Sequence, residues 1–137
     1  MMIEVKPYKK LIMLVDDNET DNFIHRRVLE MGHFSEEIIV KNSGKSALEY
    51  LEANKNNPDR IPEVIFLDIN MPIVDGFVFL FEFESFPDSI KDNSKIIVLS
   101  SSDNKKDIDR IVDNDHVIHF ITKPLSEDSV TELREMV

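Results

Sequence analysis

No cysteine occurs in the 137 residues, which excludes disulfides, thiolate zinc sites and thiol nucleophiles. Three glycines and six prolines are too few for a low-complexity linker, and no internal repeat is visible. Apolar runs stop at about five residues, far short of the ~20 that a membrane helix needs. The opening MMIEVKPYKK has no apolar core of the kind that marks a secretory leader. A cytoplasmic protein without membrane contact is the expectation. Basic clusters do not grow beyond pairs, and 27 acids outnumber 16 Lys and Arg for a net charge of −11. Nucleic-acid binding draws its affinity from Lys and Arg on phosphates, so direct binding to DNA or RNA is not expected. The net charge by itself serves solubility. The local run DDNETD, Asp16 to Asp21, is a separate matter.

What is present is alternation. The chain suits one compact domain, with 42% hydrophobic residues for a core. Five short runs stand out: LIMLV (11–15), EIIV (37–40), VIFL (64–67), KIIVL (95–99) and VIHFI (117–121). They are rich in Val, Ile and Phe and nearly continuous, as strands buried on both faces are. Helical patterns lie between them. The first places Phe23, Ile24, Val28 and Met31 on one side and ends at Gly32. The second opens on Ser43 as N-cap and turns Ala47, Leu48 and Leu51 inward. DGFVFLFEFESF is apolar enough to be largely covered. The fourth buries Ile108, Ile111 and Val112. The last opens on Ser126 with an acidic first turn and buries Val130, Leu133 and Met136 or Val137.

Five βα units predict an α/β fold: a doubly wound, five-stranded parallel sheet with five helices on its two faces. Ligand sites in such sheets lie beyond the carboxyl ends of the strands, where the winding reverses. Strand one ends on Asp16 and Asp17, strand three on Asp68, strand four on Ser100, and strand five on Thr122, Lys123 and Pro124. In a 2-1-3-4-5 order, strands one and three are neighbours. The three acids then meet, flanked by Ser100 and Lys123. Singly, each has an ordinary explanation as a helix cap, a turn acid, a loop serine or a strand end. Together, three converging carboxylates repel one another, and a divalent cation such as Mg2+ is the natural compensation. A carboxylate can attack phosphorus and hold an aspartyl phosphate. Metal, ammonium and hydroxyl can then each meet one of the three equatorial oxygens, so the set fits phosphoryl transfer.

The motifs LVDDNE (14–19), FLDINMPIVDG (66–76), VLSSS (98–102) and FITKP (120–124) stand in order at the strand ends. With them the chain resembles the receiver domain of two-component response regulators, the chemotaxis-type, flavodoxin-like receiver fold. The resemblance covers residues 10–137, leaves 1–9 as an N-terminal extension, and supplies the strand order 2-1-3-4-5. It implies Asp68 as phosphoacceptor and Asp17 as direct Mg2+ ligand, with Asp16 acting mainly through a metal-bound water. The carbonyl of Asn70 completes the shell, and Mn2+ is an acceptable substitute metal. Lys123 pairs with the phosphate, through a cis bond to Pro124. Ser100 is the switch hydroxyl, and Phe120 occupies the switch-aromatic position without the hydroxyl of a tyrosine. Met71, Pro72 and Gly76 shape the loop after the acceptor. Asn70 and Ser102 flank the route of the hydrolytic water.

The implied function is that of a phosphoprotein in a phosphorelay. It accepts a phosphoryl group from the phosphohistidine of a sensor histidine kinase or a phosphotransfer protein. It then changes the surface of the last two helices and the strand between them (α4-β5-α5 in the five-helix scheme) for an output partner. It is not an enzyme beyond its own phosphorylation and dephosphorylation. The receiver uses the chain to its end, which predicts a stand-alone receiver or one cut after the domain.

Three other readings compete. A receiver-fold adaptor that works without phosphorylation usually loses an acid or the lysine, and all are kept here. A haloacid-dehalogenase-type phosphatase wants a second Asp where Asn70 stands. An FMN carrier wants a glycine- and hydroxyl-rich loop where VDDNETDN stands. His25 and His33, and His116 and His119, are read as surface or packing residues.

Overall fold

A computed structural model describes residues 8–101 and 104–137. The elements run β1 (Lys9–Val15), α1 (Glu19–Met31), β2 (Ser35–Lys41), α2 (Gly44–Ala53), β3 (Val64–Asp68) and α3 (Gly76–Phe83). They continue through α4 (Asp88–Lys91), β4 (Lys95–Ser100), α5 (Lys105–Val112), β5 (Val117–Thr122) and α6 (Glu127–Met136). All strands are parallel in the order β2-β1-β3-β4-β5. The loops before β3 and β4 hold a 3-10 turn (Pro58–Arg60) and the four-residue α4, so the described residues form six α-helices where five were expected. A single turn is too short to show a period of 3.6 residues.

Strand alternation divides the core in two. Met13, Val15, Ile65, Leu67, Ile96 and Val98 face α2, α3, α4 and α5, where Ala47, Leu51, Phe79, Phe83, Ile90 and Ile111 meet them. Ile12, Leu14, Val64, Phe66, Ile97 and Leu99 face α1 and α6, where Leu29, Val130 and Leu133 meet them. Beyond the lysines that open β1 and β4, the central strands are buried, which is why they read as unbroken apolar runs. β2 and β5 are edges and are only partly covered.

Helix ends follow their local chemistry. Asn18, Ser43, Asp75, Asn104 and Ser126 each accept a backbone N–H from the first turn of the helix they open. Gly32 caps α1 at φ −82°, outside the left-handed region. A Cβ there would sit 2.8 Å from Val130 Cγ1, so this glycine permits the close approach of α6. The left-handed residue is the next one, His33, at φ 50°.

The buried face of α1 differs from the expected one. Asn22, His25 and Leu29 are buried, whereas Phe23 is 72% exposed and Ile24 and Met31 are also exposed. The apolar residues lie on the solvent side because polar residues of this helix are directed at the strand ends. In α3, Phe79, Leu80 and Phe83 are buried while Val78 and Phe81 face solvent. Ile111 is buried in α5, but Val112 is exposed; in α6 so is Met136, while Val137 is half-buried.

Ile73 is 98% exposed and holds φ 66°, a conformation that disfavours a β-branched side chain. Ile73→Gly is expected to raise stability by about 1 kcal/mol, the cost of placing an L-residue in the left-handed region. Urea denaturation checks this as a higher midpoint at unchanged slope.

Candidate functional site

Register brings the strand ends together. Val15 pairs with Leu67, so Asp16 and Asp68 lie side by side one residue beyond. Asp68 pairs with Leu99, and Ser100 with Thr122. By strand alternation Asp16, Asp68 and Lys123 fall on the α1/α6 side of the sheet and Ser100 on the other.

Carboxylate oxygens of Asp16, Asp17 and Asp68 lie within 4.8 Å of one another. Asp16 and Asp68 are buried and Asp17 is exposed, so the group forms a cup with one open side. The Lys123 ammonium spans it, 2.7 Å from Asp16, 2.8 Å from Asp21 and 3.4 Å from Asp68. Its peptide bond to Pro124 is cis. Asp16 also accepts the Asn18 N–H at 3.0 Å, and its carbonyl accepts from Asn22 Nδ2 at 2.8 Å.

Electrostatics match the crowding. Burial and the neighbouring Asp16 charge push Asp68 up to about 6, against the opposing Lys123 charge and the Asn70 N–H. Burial alone would lower the Lys123 pKa, but its bonds to Asp16 and Asp21 and the charge of Asp68 outweigh that and raise it. Burial and the Lys123 charge hold His25 below the usual histidine range, with Asp21 and Asp16 opposing. The neutral form of His25 is thereby favoured, and its ring is buried on the α1 face that also carries Asn22.

An all-oxygen donor set with excess negative charge fits a hard divalent cation. Asp16, Asp17 and Asp68 are the three residues that could hold it. Asn70 lies exposed at the rim with its Nδ2 3.5 Å from Ser100 Oγ, and Ser100 is fully buried. The loop after Asp68 is closed by Gly76, whose N–H donates to the Ile69 carbonyl at 2.9 Å. A Cβ on Gly76 would come within 2.6 Å of Ile69 Cα, so no side chain fits. Met71 is buried and Pro72 is exposed on this loop. Phe120 is half-buried on β5 beside an open cavity of about 290 Å³ lined by Val112, Val117 and Ile118. Ser102 lies outside the described residues.

Asp21 and Asn22, both on α1, were not singled out as site residues by the sequence reading, while His25, read as a surface or packing residue, is buried on the same helix. Their one signal is spacing, since positions 21, 22 and 25 share a helical face with 29. His116 immediately precedes β5 and bonds Glu84. A cavity of about 470 Å³ between α2 and α3, lined by Leu48, Glu49, Glu52, Ala53, Glu82 and Phe86 among others, includes none of Asp16, Asp17, Asp21 and Asp68.

Known proteins share this fold. A family model described as the response regulator receiver domain matches residues 12–135. The chain is 31% identical over 134 residues to a probable methanogenesis regulatory protein, FilR2, of Methanothrix harundinacea, covering 91% of this chain and 81% of that one. A crystal structure of a two-component response regulator from Cytophaga hutchinsonii superposes with a TM-score of 0.85 at 28% identity, covering 95% of this chain and 96% of that one. The Mn2+-bound form of response regulator Rcp1, a protein of Synechocystis, superposes with a TM-score of 0.72 at 29% identity, covering 92% and 90%.

Proposed function

The chain belongs to the response regulator receiver domain family, the phosphoryl-accepting module of two-component signalling, and from that premise we propose that Asp68 is the residue that takes the phosphoryl group. One observation carries this reading: the buried Asp68 carboxylate ends β3 beside Asp16 and Asp17, with Lys123 reaching across to it. Receivers bind a divalent metal, and the reading assigns Mg2+ to Asp16, Asp17, Asp68 and the Asn70 carbonyl. When bound, the ion supplies positive charge against the transferring phosphoryl oxygens.

The chain's own residues do the rest. An Asp68 oxygen attacks phosphorus in line with the donor's P–N bond. The P–O bond forms as the P–N bond breaks, and the bonding pair leaves with the donor imidazole. Asp68 is already held among hydrogen bonds from Lys123 and the Asn70 N–H, so little reorganisation is needed. Lys123 moves from Asp16 toward the new phosphoryl oxygens as they gain charge. Ser100, buried at the end of β4, donates its hydroxyl to another of them. The added charge of roughly −1.5 to −2 favours a rearrangement at the end of β4 around Ser100, with Phe120 turning toward the space behind Ser100. The α5-β5-α6 face then presents a different surface to an output protein.

Receivers obtain phosphate from histidine kinases or phosphotransfer proteins, and a phosphohistidine donor is assigned here. The reading places the protein in the cytoplasm, without direct nucleic-acid contact, and limits its catalysis to its own phosphorylation and dephosphorylation.

Intact mass after incubation with acetyl phosphate tests the reading. One base-labile phosphoryl group gained with Mg2+ and not with EDTA is expected. No gain by wild type with either acetyl phosphate or a phosphohistidine donor would overturn it. Ser100→Ala is expected to keep most of the labelling and to lose the conformational response. NMR shifts of α5, β5 and α6 on adding beryllofluoride check this, and a wild-type response would remove Ser100 from the switch.

A further inference from the structure

We infer that Asp21 is a positioning residue for Lys123: it is the carboxylate that holds the lysine at the site when a cation and then a phosphoryl group occupy Asp16 and Asp68. The inference rests on the functional reading above and adds to it a residue outside the acid cluster.

Lys123 is shared by three carboxylates with unlike duties. Asp16 and Asp68 belong to the group whose oxygens converge within 4.8 Å, and both are buried. Asp21 is outside that group, and its side chain is 33% exposed. Its contact with the lysine is nevertheless short, 2.8 Å, nearly equal to the 2.7 Å contact of Asp16 and closer than the 3.4 Å of Asp68. A divalent cation competes with the ammonium for Asp16 and Asp68, because both need the same oxygens. Asp21 is the partner for which the two cations do not compete.

Local structure fixes this carboxylate. The Asp21 N–H is bound to the Asn18 side chain at 2.9 Å, which locks the first turn of α1. Asn22, next in the chain, anchors that turn to the Asp16 carbonyl at 2.8 Å. Asp21 is thus held in line with the end of β5, whereas Glu19 in the same turn is exposed. An acid in a first turn also suits the helix dipole, and Glu19 can serve that role equally well. The dipole therefore does not explain why Asp21 touches the lysine.

Without Asp21, Lys123 collapses onto Asp16 and Asp68 and competes more strongly with the metal. Asp21→Asn is expected to weaken Mg2+ binding, measured by calorimetry, by about tenfold, the size of a direct charge-pair coupling. In a Lys123→Met background the same substitution should change Mg2+ affinity less than about twofold. Glu19→Gln removes one charge from the same turn without touching the lysine, and it should leave Mg2+ binding near wild type. It also keeps the test decisive if Lys123→Met folds poorly. Equal weakening by Asp21→Asn in both backgrounds, or by Glu19→Gln and Asp21→Asn alike, would show a general field effect and overturn the assignment. No change in Asp21→Asn would overturn it as well. Wild-type protein that neither binds Mg2+ nor gains a phosphoryl group would instead overturn the functional reading, and the role of Asp21 with it.

Discussion

Asp68→Asn is expected to abolish phosphoryl uptake and, in EDTA at pH 7, to raise the melting temperature. The second effect follows from the charge environment. Asp68 titrates near 6 in the fold, against an ordinary value of 3.8. The folded state therefore holds a proton that the unfolded state releases between pH 3.8 and about 6. Stability contributed by this group is present below that window and is lost as pH rises through it. The full loss is about 3 kcal/mol, from 1.36 kcal/mol per pKa unit. Asparagine approximates the neutral acid in shape and charge. A gain of about 2 kcal/mol at pH 7, or roughly 6 °C, is expected, shrinking toward zero at pH 4. Thermal melts in EDTA from pH 4 to 8 check it: the two proteins should converge at low pH and separate above pH 6. A wild type that melts higher than Asp68→Asn at pH 7 without metal would contradict this account of the site's electrostatics.

Removal of the lysine should act in the opposite direction. Lys123 is the cation that Asp16, Asp21 and Asp68 share, and its side chain is only 12% exposed. Lys123→Met keeps the apolar stem but leaves Asp16 and Asp68 buried without it. Breaking a buried pair from one side costs about 3–5 kcal/mol. Protonation of Asp68 recovers part of that, so a loss of about 3 kcal/mol in EDTA at pH 8 is expected. Saturating Mg2+ should restore much of it, because a ligand at 100 times its Kd adds about 2.7 kcal/mol. Guanidinium denaturation with and without the ion checks both numbers. An unchanged midpoint in EDTA would mean that the acids do not depend on the lysine.

Much of this architecture was legible because its physics is local or repetitive. Strands buried on both faces show as LIMLV and VIFLD, and caps such as Ser43 and Ser126 mark where α2 and α6 begin. The acids were legible because a carboxylate directly after an apolar strand is conspicuous. Misreadings arose where side-chain chemistry ran against burial. Phe23, Ile24 and Met31 are apolar yet exposed, while Asn22 and His25 are polar yet buried, so the hydrophobic pattern of α1 indicated the wrong face. DDNETD announced a cluster but not which acid turns inward. That depends on the pairing of β1 with β3 and on where β5 ends, and both are set by tertiary structure. In α3 nearly every residue is apolar, so no period could distinguish exposed Phe81 from buried Phe79.

The central claim is that Asp68 itself carries the phosphoryl group. Borohydride reduces an acyl phosphate to an alcohol, turning phosphorylated aspartate into homoserine. Wild-type protein treated with acetyl phosphate and Mg2+, reduced and then mapped by peptide mass spectrometry, should contain homoserine at position 68, with none after treatment in EDTA. Homoserine at Asp16 or Asp17 with position 68 unmodified would contradict the assignment of the acceptor and the roles built around it.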